Sequence, residues 1–195
     1  MAGKSYVEVI KAASDGNFDL VVKSVSTPNM LKGIFGSDDI RVLHFCPTPV
    51  MVLRPSRKKH WRSILVAVDP SAENSKEAKL NGALLALGAS TTRLEDADLH
   101  VLHVQERSSA GGDSPELDAL ITASREKANA SMESLVLRYQ DLPLEKHLVK
   151  GKAHTAISRF VKNNDVDLLV MGSVARSGIA RIFVGNTAEK ILEHP

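Results

Sequence analysis

One segment near the end of the chain combines residue types that suit the binding of an anion. It spans residues 172–189 and reads GSVARSGIARIFVGNTAE. Gly172 and Gly185 let the backbone turn with positive φ and approach a bound group closely. Asn186 is a predicted helix N-cap with Glu189 three residues later, so free amides and a positive helix end follow the loop. The segment predicts a phosphate-binding loop, although its composition also suits an ordinary glycine-rich turn before a capped helix.

The other chemically capable residues fit no familiar catalytic or metal-binding pattern. His100 and His103 lie three residues apart on a predicted strand and so point to opposite faces, which argues against a shared metal. Cys46 precedes Pro47 and has no identifiable base. The sequence contains no Walker motif and no dinucleotide fingerprint, and Asp69 lacks the acidic neighbour of a phospho-accepting aspartate. The remaining histidines have no metal-ligand spacing: His44, His60, His147, His154 and His194.

The candidate loop must be positioned by a sheet, because aliphatic segments alternate with helical patterns from residue 63 onward. Helices are predicted after Ser71, from Pro115, and up to Asn163. This alternation predicts an α/β fold, an open, doubly wound parallel sheet with helices on both faces. Ligands of such sheets lie beyond the carboxyl ends of the strands, which selects the loops that begin at Asp69 and Gly172. The predicted strands are residues 63–69, 98–104, 166–171 and, at an edge, 144–149.

An internal repeat relates the two ends of the chain. Residues 19–22 match residues 167–170, Gly36 matches Gly185, and residues 42–43 match residues 191–192. The first copy continues into a strand up to Leu53, whereas the second copy stops at Pro195. We therefore expect residues 1–56 to be the C-terminal half of a first domain, 57–62 a linker, and 63–195 a second domain without its last strand. Either a longer natural polypeptide or another copy of the chain would supply that strand.

Composition narrows the classes of function. The chain has 195 residues, of which 43% are hydrophobic and 25% charged, with a formal net charge of +2. Because acidic and basic residues are interleaved, nucleic acid is not an expected partner, and the basic residues between Arg54 and Arg62 are interpreted as a solvated linker. The single cysteine favours a reducing compartment. No apolar run reaches the roughly 20 residues that span a bilayer, and we expect a cytoplasmic protein without a membrane segment.

The glycine-containing segment resembles the signature of the universal stress protein family. That signature is Gly, two residues, Gly, nine residues, Gly, then Ser or Thr. Gly172 and Gly185 fall on its first and third glycines. Ala175 and Asn186 depart from the second glycine and the Ser/Thr position, although Thr187 follows directly. The similarity extends over both copies of the repeat and implies the adenine nucleotide alpha hydrolase-like fold.

The resemblance also implies a ligand, because family members with the full glycine motif generally bind ATP. The aspartate after the first strand and the backbone of the second would lie near the adenosine, and the glycine loop would surround the phosphates. In the first copy Ser24 replaces the first glycine, so that copy is expected to bind no nucleotide. The implied site residues are Val68, Asp69, Val104, Met171, Gly172, Ser173, Ala175, Arg176, Gly185, Asn186 and Thr187.

Three functions follow as alternatives. The first is a stress-response protein that binds ATP or a related adenine nucleotide, with at most slow hydrolysis and no catalytic residue of its own. The second is a member that has lost nucleotide binding and serves as a protein-interaction or small-ligand scaffold, which Ala175 and Asn186 favour. The third is an ATP-pyrophosphatase-like enzyme, but residues 69–73 lack the Ser-Gly-Gly phosphate cradle of that class. Family members also commonly pair through their last strands, so a homo-oligomer or pseudo-dimer is expected.

Overall fold

The computed structural model describes residues 5–24, 37–53, 58–70, 75–105, 115–172 and 186–193. Strands and helices alternate along these residues, as the sequence pattern predicts. In chain order the elements are α1 (Ser5–Asp15), β1 (Val21–Ser24), α2 (Ser37–Phe45), β2 (Val50–Leu53), β3 (Ser63–Ala67), α3 (Ser75–Glu95), β4 (Asp98–Gln105), α4 (Pro115–Val136), a 3₁₀ turn (Leu137–Tyr139), β5 (Leu144–Lys150), α5 (Ala153–Asn163), β6 (Leu168–Met171) and α6 (Asn186–Glu193).

The chain divides into two compact units. One consists of residues 1–59 and 173–195, and the other of residues 60–172. In the first unit, β1 and β2 pair in parallel, with Val21 opposite Val50 and Ser24 opposite Leu53. β2 begins directly after Pro49, where the sequence predicts a final strand opened by prolines. The domain boundaries expected from the repeat stay a prediction.

The second unit contains a four-stranded sheet with the order β5-β4-β3-β6. All three pairings are parallel. β5 lies at one edge, as its alternating pattern predicts, and the apolar strand β3 lies inside, between β4 and β6. Since the strands are parallel and helices separate them along the chain, the predicted α/β fold class is confirmed.

Helices cover both faces of this sheet. On one face, β3, β4 and β6 form the main hydrophobic core together with α3 and α4. On the other face, Phe160 of α5 contacts residues of β4 and β5. Each fully buried large apolar side chain in the core contributes about 1.5–3 kcal/mol. The core residues of the strands include Ile64, Val66, Leu99, Val101 and Val170, and those of the helices include Leu85, Ala89, Met132 and Val136.

The aspartate of the repeated segment fastens the amino edge of the sheet. One carboxylate oxygen of Asp167 accepts hydrogen bonds from the backbone N–H groups of Arg62, at 2.7 Å, and Ser63, at 3.2 Å. The N–H of Asp167 in turn donates to the carbonyl oxygen of Ser63 at 2.8 Å. These bonds align the starts of β3 and β6, so this aspartate has a structural role far from the carboxyl edge.

The two longest helices, α3 and α4, have 21 and 22 residues. Both carry charged residues at intervals, and their apolar residues pack on the sheet. Within the described part of the chain, no helix combines the length and apolar character that crossing a membrane requires.

Candidate functional site

The parallel sheet brings several predicted site residues to one edge. β4, β3 and β6 are neighbours, and their carboxyl ends point the same way. Val68 and Asp69 directly follow β3, Val104 lies near the end of β4, and Met171 and Gly172 lie at the end of β6. Sheet topology therefore gathers at one edge residues that are up to about a hundred positions apart in sequence. This edge is where ligands bind in open α/β sheets.

The backbone of Asp69 is fixed by a buried asparagine in α3. The side-chain oxygen of Asn81 accepts a hydrogen bond from the Asp69 N–H at 3.1 Å, and its amide nitrogen donates to the Asp69 carbonyl oxygen at 2.7 Å. Asn81 is buried, so these bonds are shielded from competing water. Asn81 was not among the residues predicted from the sequence. The available signal was a polar residue directly after Leu80 in an otherwise apolar helical pattern.

A buried histidine supports the same turn from β4. The Nδ1 atom of His103 lies 3.3 Å from the carbonyl oxygen of Val68 and 3.9 Å from a carboxylate oxygen of Asp69. Burial lowers the pKa of His103 below its ordinary value, and the hydrogen bond to Val68 partly opposes this shift. The ring is therefore neutral near pH 7. Because a carbonyl oxygen only accepts hydrogen bonds, Nδ1 carries the proton and donates to Val68.

The side chain of Asp69 remains partly accessible, with 27% of its surface exposed. Its backbone is held by Asn81, and its carboxylate lies beside the neutral His103 ring. This arrangement supplies a positioned hydrogen-bond acceptor at the sheet edge. It suits recognition of hydroxyl or amino groups on a ligand.

The structure corrects the expected backbone conformation of Gly172. A positive φ was expected there, but among the glycines of the described residues only Gly151 has one, at 145°. A Cβ atom at Gly172 would instead lie 2.9 Å from Cδ2 of Leu80 and 3.8 Å from Cδ1 of Leu84. The glycine therefore lets the end of β6 pack closely against α3. Close helix–strand packing, rather than a left-handed turn, explains the residue here.

Of the remaining predicted site residues, the structure describes only Asn186 and Thr187. Ser173, Ala175, Arg176 and Gly185 lie outside the described residues. α6 begins at Asn186 and continues through Thr187, so the helix start lies within one residue of the position that the capping pattern predicts. Both residues belong to the first unit, and their part in ligand binding stays a prediction.

Sequence reasoning missed a second polar group. His100 in β4 and Glu145 and His147 in β5 offer ligand atoms that all lie within 4.8 Å of one another. His147 belongs to no familiar metal-ligand spacing along the chain. A usable signal was the Glu-x-His pattern on one strand, because alternate strand residues share a face. By contrast, His103 contacts Val68 and not this group, in agreement with the predicted opposite orientation of His100 and His103.

Comparison with known proteins agrees with this architecture. A homolog of universal stress protein E from Haemophilus influenzae is 28% identical over 184 residues, which cover 91% of this chain and 60% of the relative. Universal stress protein E from Escherichia coli K12 is 24% identical over 197 residues, covering 98% of this chain and 62% of the relative. The chain thus spans about three fifths of the length of these curated relatives.

A solved structure and a family model lead to the same assignment. A crystal structure from Pseudomonas aeruginosa UCBPP-PA14, provisionally named a universal stress protein, is 25% identical with a TM-score of 0.77. The match covers 99% of this chain and 66% of that one. The model of the universal stress protein family matches residues 60–195, which include the whole described sheet of the second unit. The chain therefore belongs to the universal stress protein family.

Proposed function

We propose that this family member binds ATP or a related adenine nucleotide at the carboxyl edge of the β5-β4-β3-β6 sheet. The observation that supports this proposal is the rigid turn after β3. There Asn81 holds the backbone N–H and carbonyl of Asp69, and the partly exposed Asp69 carboxylate lies beside the buried, neutral His103. A fixed acceptor suits the hydroxyl or amino groups of an adenosine, since little ordering is then needed on binding.

The charge of Asp69 determines how the proposed ligand would be oriented. The Asp69 carboxylate repels phosphate, so the adenosine belongs beside β3 and the backbone of Val104. The phosphates then extend toward the loop that begins at Gly172, where the sequence supplies Arg176 and backbone N–H groups. A nucleotide would therefore contact both Asp69 and the loop, whereas a small inorganic anion would occupy only the loop.

The competing function is a scaffold that binds a protein or an apolar ligand without nucleotide. Two residues favour it. Ala175 places a methyl group where the family signature has glycine, and Asn186 replaces the hydroxyl residue. Both changes would weaken the phosphate end of the site, whereas the adenosine end at Asp69 would be unaffected.

Calorimetric titration of ATP into the protein and its Asp69→Asn variant tests the proposal. We expect the parent to bind and the variant to bind at least tenfold more weakly, a loss of about 1.4 kcal/mol. Asp98→Asn is the matched control, because this exposed aspartate lies at the start of β4, at the opposite edge of the sheet. Equal affinity of the parent and Asp69→Asn would overturn the placement of the adenosine.

A third variant separates the competing functions. If the parent does not bind ATP but Ala175→Gly does, the scaffold function is supported and nucleotide binding in this chain is refuted. Release of inorganic phosphate is measured in the same samples. We expect at most slow hydrolysis, and fast turnover would favour the enzymatic alternative.

Two broader assignments belong to the same proposal. We place the protein in the cytoplasm, where the single Cys46 would stay reduced. We also propose that a second copy or domain pairs with the edge of β2, which among the described residues is bonded only to β1. Light scattering that showed a monomer at all accessible concentrations would contradict pairing between copies.

A further inference from the structure

Three polar side chains gather on the face of the sheet that α5 covers. His100 lies on β4, directly opposite Glu145 of β5, and His147 follows two residues later on β5. Alternate residues of a strand share a face, so Glu145 and His147 stand side by side. Parallel register places His100 next to both. The group combines two imidazoles and one carboxylate, the donor set of many transition-metal sites.

The ligand atoms of the three side chains converge on one point. Nδ1 of His100 lies 3.1 Å from Nε2 of His147. An Oε2 atom of Glu145 lies 3.7 Å from the His100 nitrogen and 3.8 Å from the His147 nitrogen. The two facing ring nitrogens require a proton between them, because two lone pairs at this distance repel one another. A metal ion can replace that proton and satisfy both nitrogens at once.

The distances are close to those that a metal ion would impose. Zinc–nitrogen bonds of about 2.0–2.1 Å at a tetrahedral angle separate two ligand nitrogens by about 3.3 Å. The distance between the two ring nitrogens would therefore increase by only a few tenths of an ångström. Glu145 would move inward by a similar amount, which its 69% exposed side chain permits. Three protein ligands leave the fourth tetrahedral position for a water molecule.

Packing holds both imidazoles in place before any ion binds. The ring of Phe160 in α5 lies 5.7 Å from the ring of His100 and 4.6 Å from that of His147, measured between centroids. The His100 and His147 side chains are only 15% and 17% exposed. Little rotamer freedom would be lost on metal binding, because the apolar neighbour already fixes the rings.

The Glu145 carboxylate also suits a cation site, because it would balance part of the charge of a bound ion.

We propose that His100, Glu145 and His147 form a binding site for a divalent transition-metal ion of the Zn²⁺ class. The nitrogen-rich donor set favours Zn²⁺ over Mg²⁺ or Ca²⁺, which prefer all-oxygen coordination. The site lies under α5 on one face of the sheet, whereas the proposed nucleotide site lies at the carboxyl edge of the strands. Its occupancy does not depend on ATP binding.

The test is a competition titration of untagged protein with Zn²⁺ against a chromophoric chelator, followed by Co²⁺ substitution. We expect one tight site per chain and the visible absorption of four-coordinate Co²⁺. His147→Asn should weaken Zn²⁺ binding at least tenfold and abolish the Co²⁺ band. His60→Asn is the matched control, because His60 is an exposed histidine outside the group, and it should bind like the parent.

Glu145→Gln keeps the test decisive if removal of a histidine disturbs folding. The Glu145 side chain is exposed, so this variant should keep the far-UV circular dichroism of the parent while losing at least tenfold in Zn²⁺ affinity. The proposal is overturned if the parent shows no tight site, or if folded Glu145→Gln and His147→Asn bind Zn²⁺ as tightly as the parent.

Discussion

At the scale of single residues, the support of the Asp69 turn depends on one buried amide. Asn81 pairs with both polar backbone groups of Asp69. Asn81→Ala would leave the N–H and the carbonyl of the half-buried Asp69 without these partners, and unsatisfied groups that are shielded from water cost about 1–3 kcal/mol. We expect the free energy of unfolding to fall by about 2 kcal/mol, measured by urea denaturation.

An exposed asparagine provides the comparison for this substitution. The side chain of Asn164 donates to the carbonyl oxygen of Phe160 at 2.9 Å, at the end of α5 and in contact with solvent. Water can replace that bond, so Asn164→Ala should cost only about 0.5 kcal/mol. Equal losses in Asn81→Ala and Asn164→Ala would show that the amide of Asn81 does not stabilise the turn.

At the scale of secondary structure, two glycines in α3 have opposite environments. A Cβ at Gly88 would lie 2.3 Å from Cγ2 of Val66, which is fully buried in β3. A Cβ at Gly82 would meet nothing within 4 Å. Gly88→Ala should therefore destabilise the protein by about 1–3 kcal/mol through overpacking. Gly82→Ala should stabilise it by about 0.5–1 kcal/mol, because alanine favours helix.

This matched pair isolates the packing of α3 on the sheet. Both substitutions add one methyl group to the same helix, so the gain in helix propensity is common to them. Urea denaturation of the parent and the two variants measures the difference. A stabilising effect of Gly88→Ala would mean that α3 can move away from β3 without loss, contrary to the close contact described above.

Local sequence patterns predicted where several helices begin and end. The Ser114–Pro115 pair marked the first residue of α4, and asparagines marked the end of α5. The expected positive φ of Gly172 was wrong, because a sequence shows that a side chain is absent but not which neighbour needs the space. Only tertiary packing reveals that Leu80 of α3 occupies it.

At the scale of the whole molecule, periodicity predicted the sheet but not its register. Alternation along β5 identified an edge strand, and the apolar segments identified the inner ones. The offset between β4 and β5 is set by long-range pairing, which no local pattern encodes. The Glu-x-His pattern of β5 can be seen in the sequence, but His100 joins Glu145 and His147 only because of that offset, so the complete group could not be predicted from spacing along one strand.

The buried His103 and the half-buried His147 should also set the response of the molecule to acid. Burial lowers the pKa values of His103 and His147, so the folded state binds fewer protons than the unfolded state, whose histidines titrate near 6.5. Stability from these two groups is present above about pH 6.5 and is lost as pH falls below it toward the lowered pKa values. Urea denaturation between about pH 5 and pH 8, with a chelator present to keep His147 metal-free, measures this loss.

A substitution at His103 tests the origin of that pH dependence. His103→Gln removes the titrating group, so the decline in stability below about pH 6.5 should become shallower, whatever its effect on stability at pH 7. Asn164→Ala gives the comparison, since it removes no titrating group and should keep the slope of the parent. Burial determines the sign of this pH dependence, because a solvated imidazole would have the same pKa in the folded and the unfolded state. An unchanged slope in His103→Gln would mean that this ring is solvated in the folded protein, and the support of Asp69 by a neutral, donating His103 would then be lost.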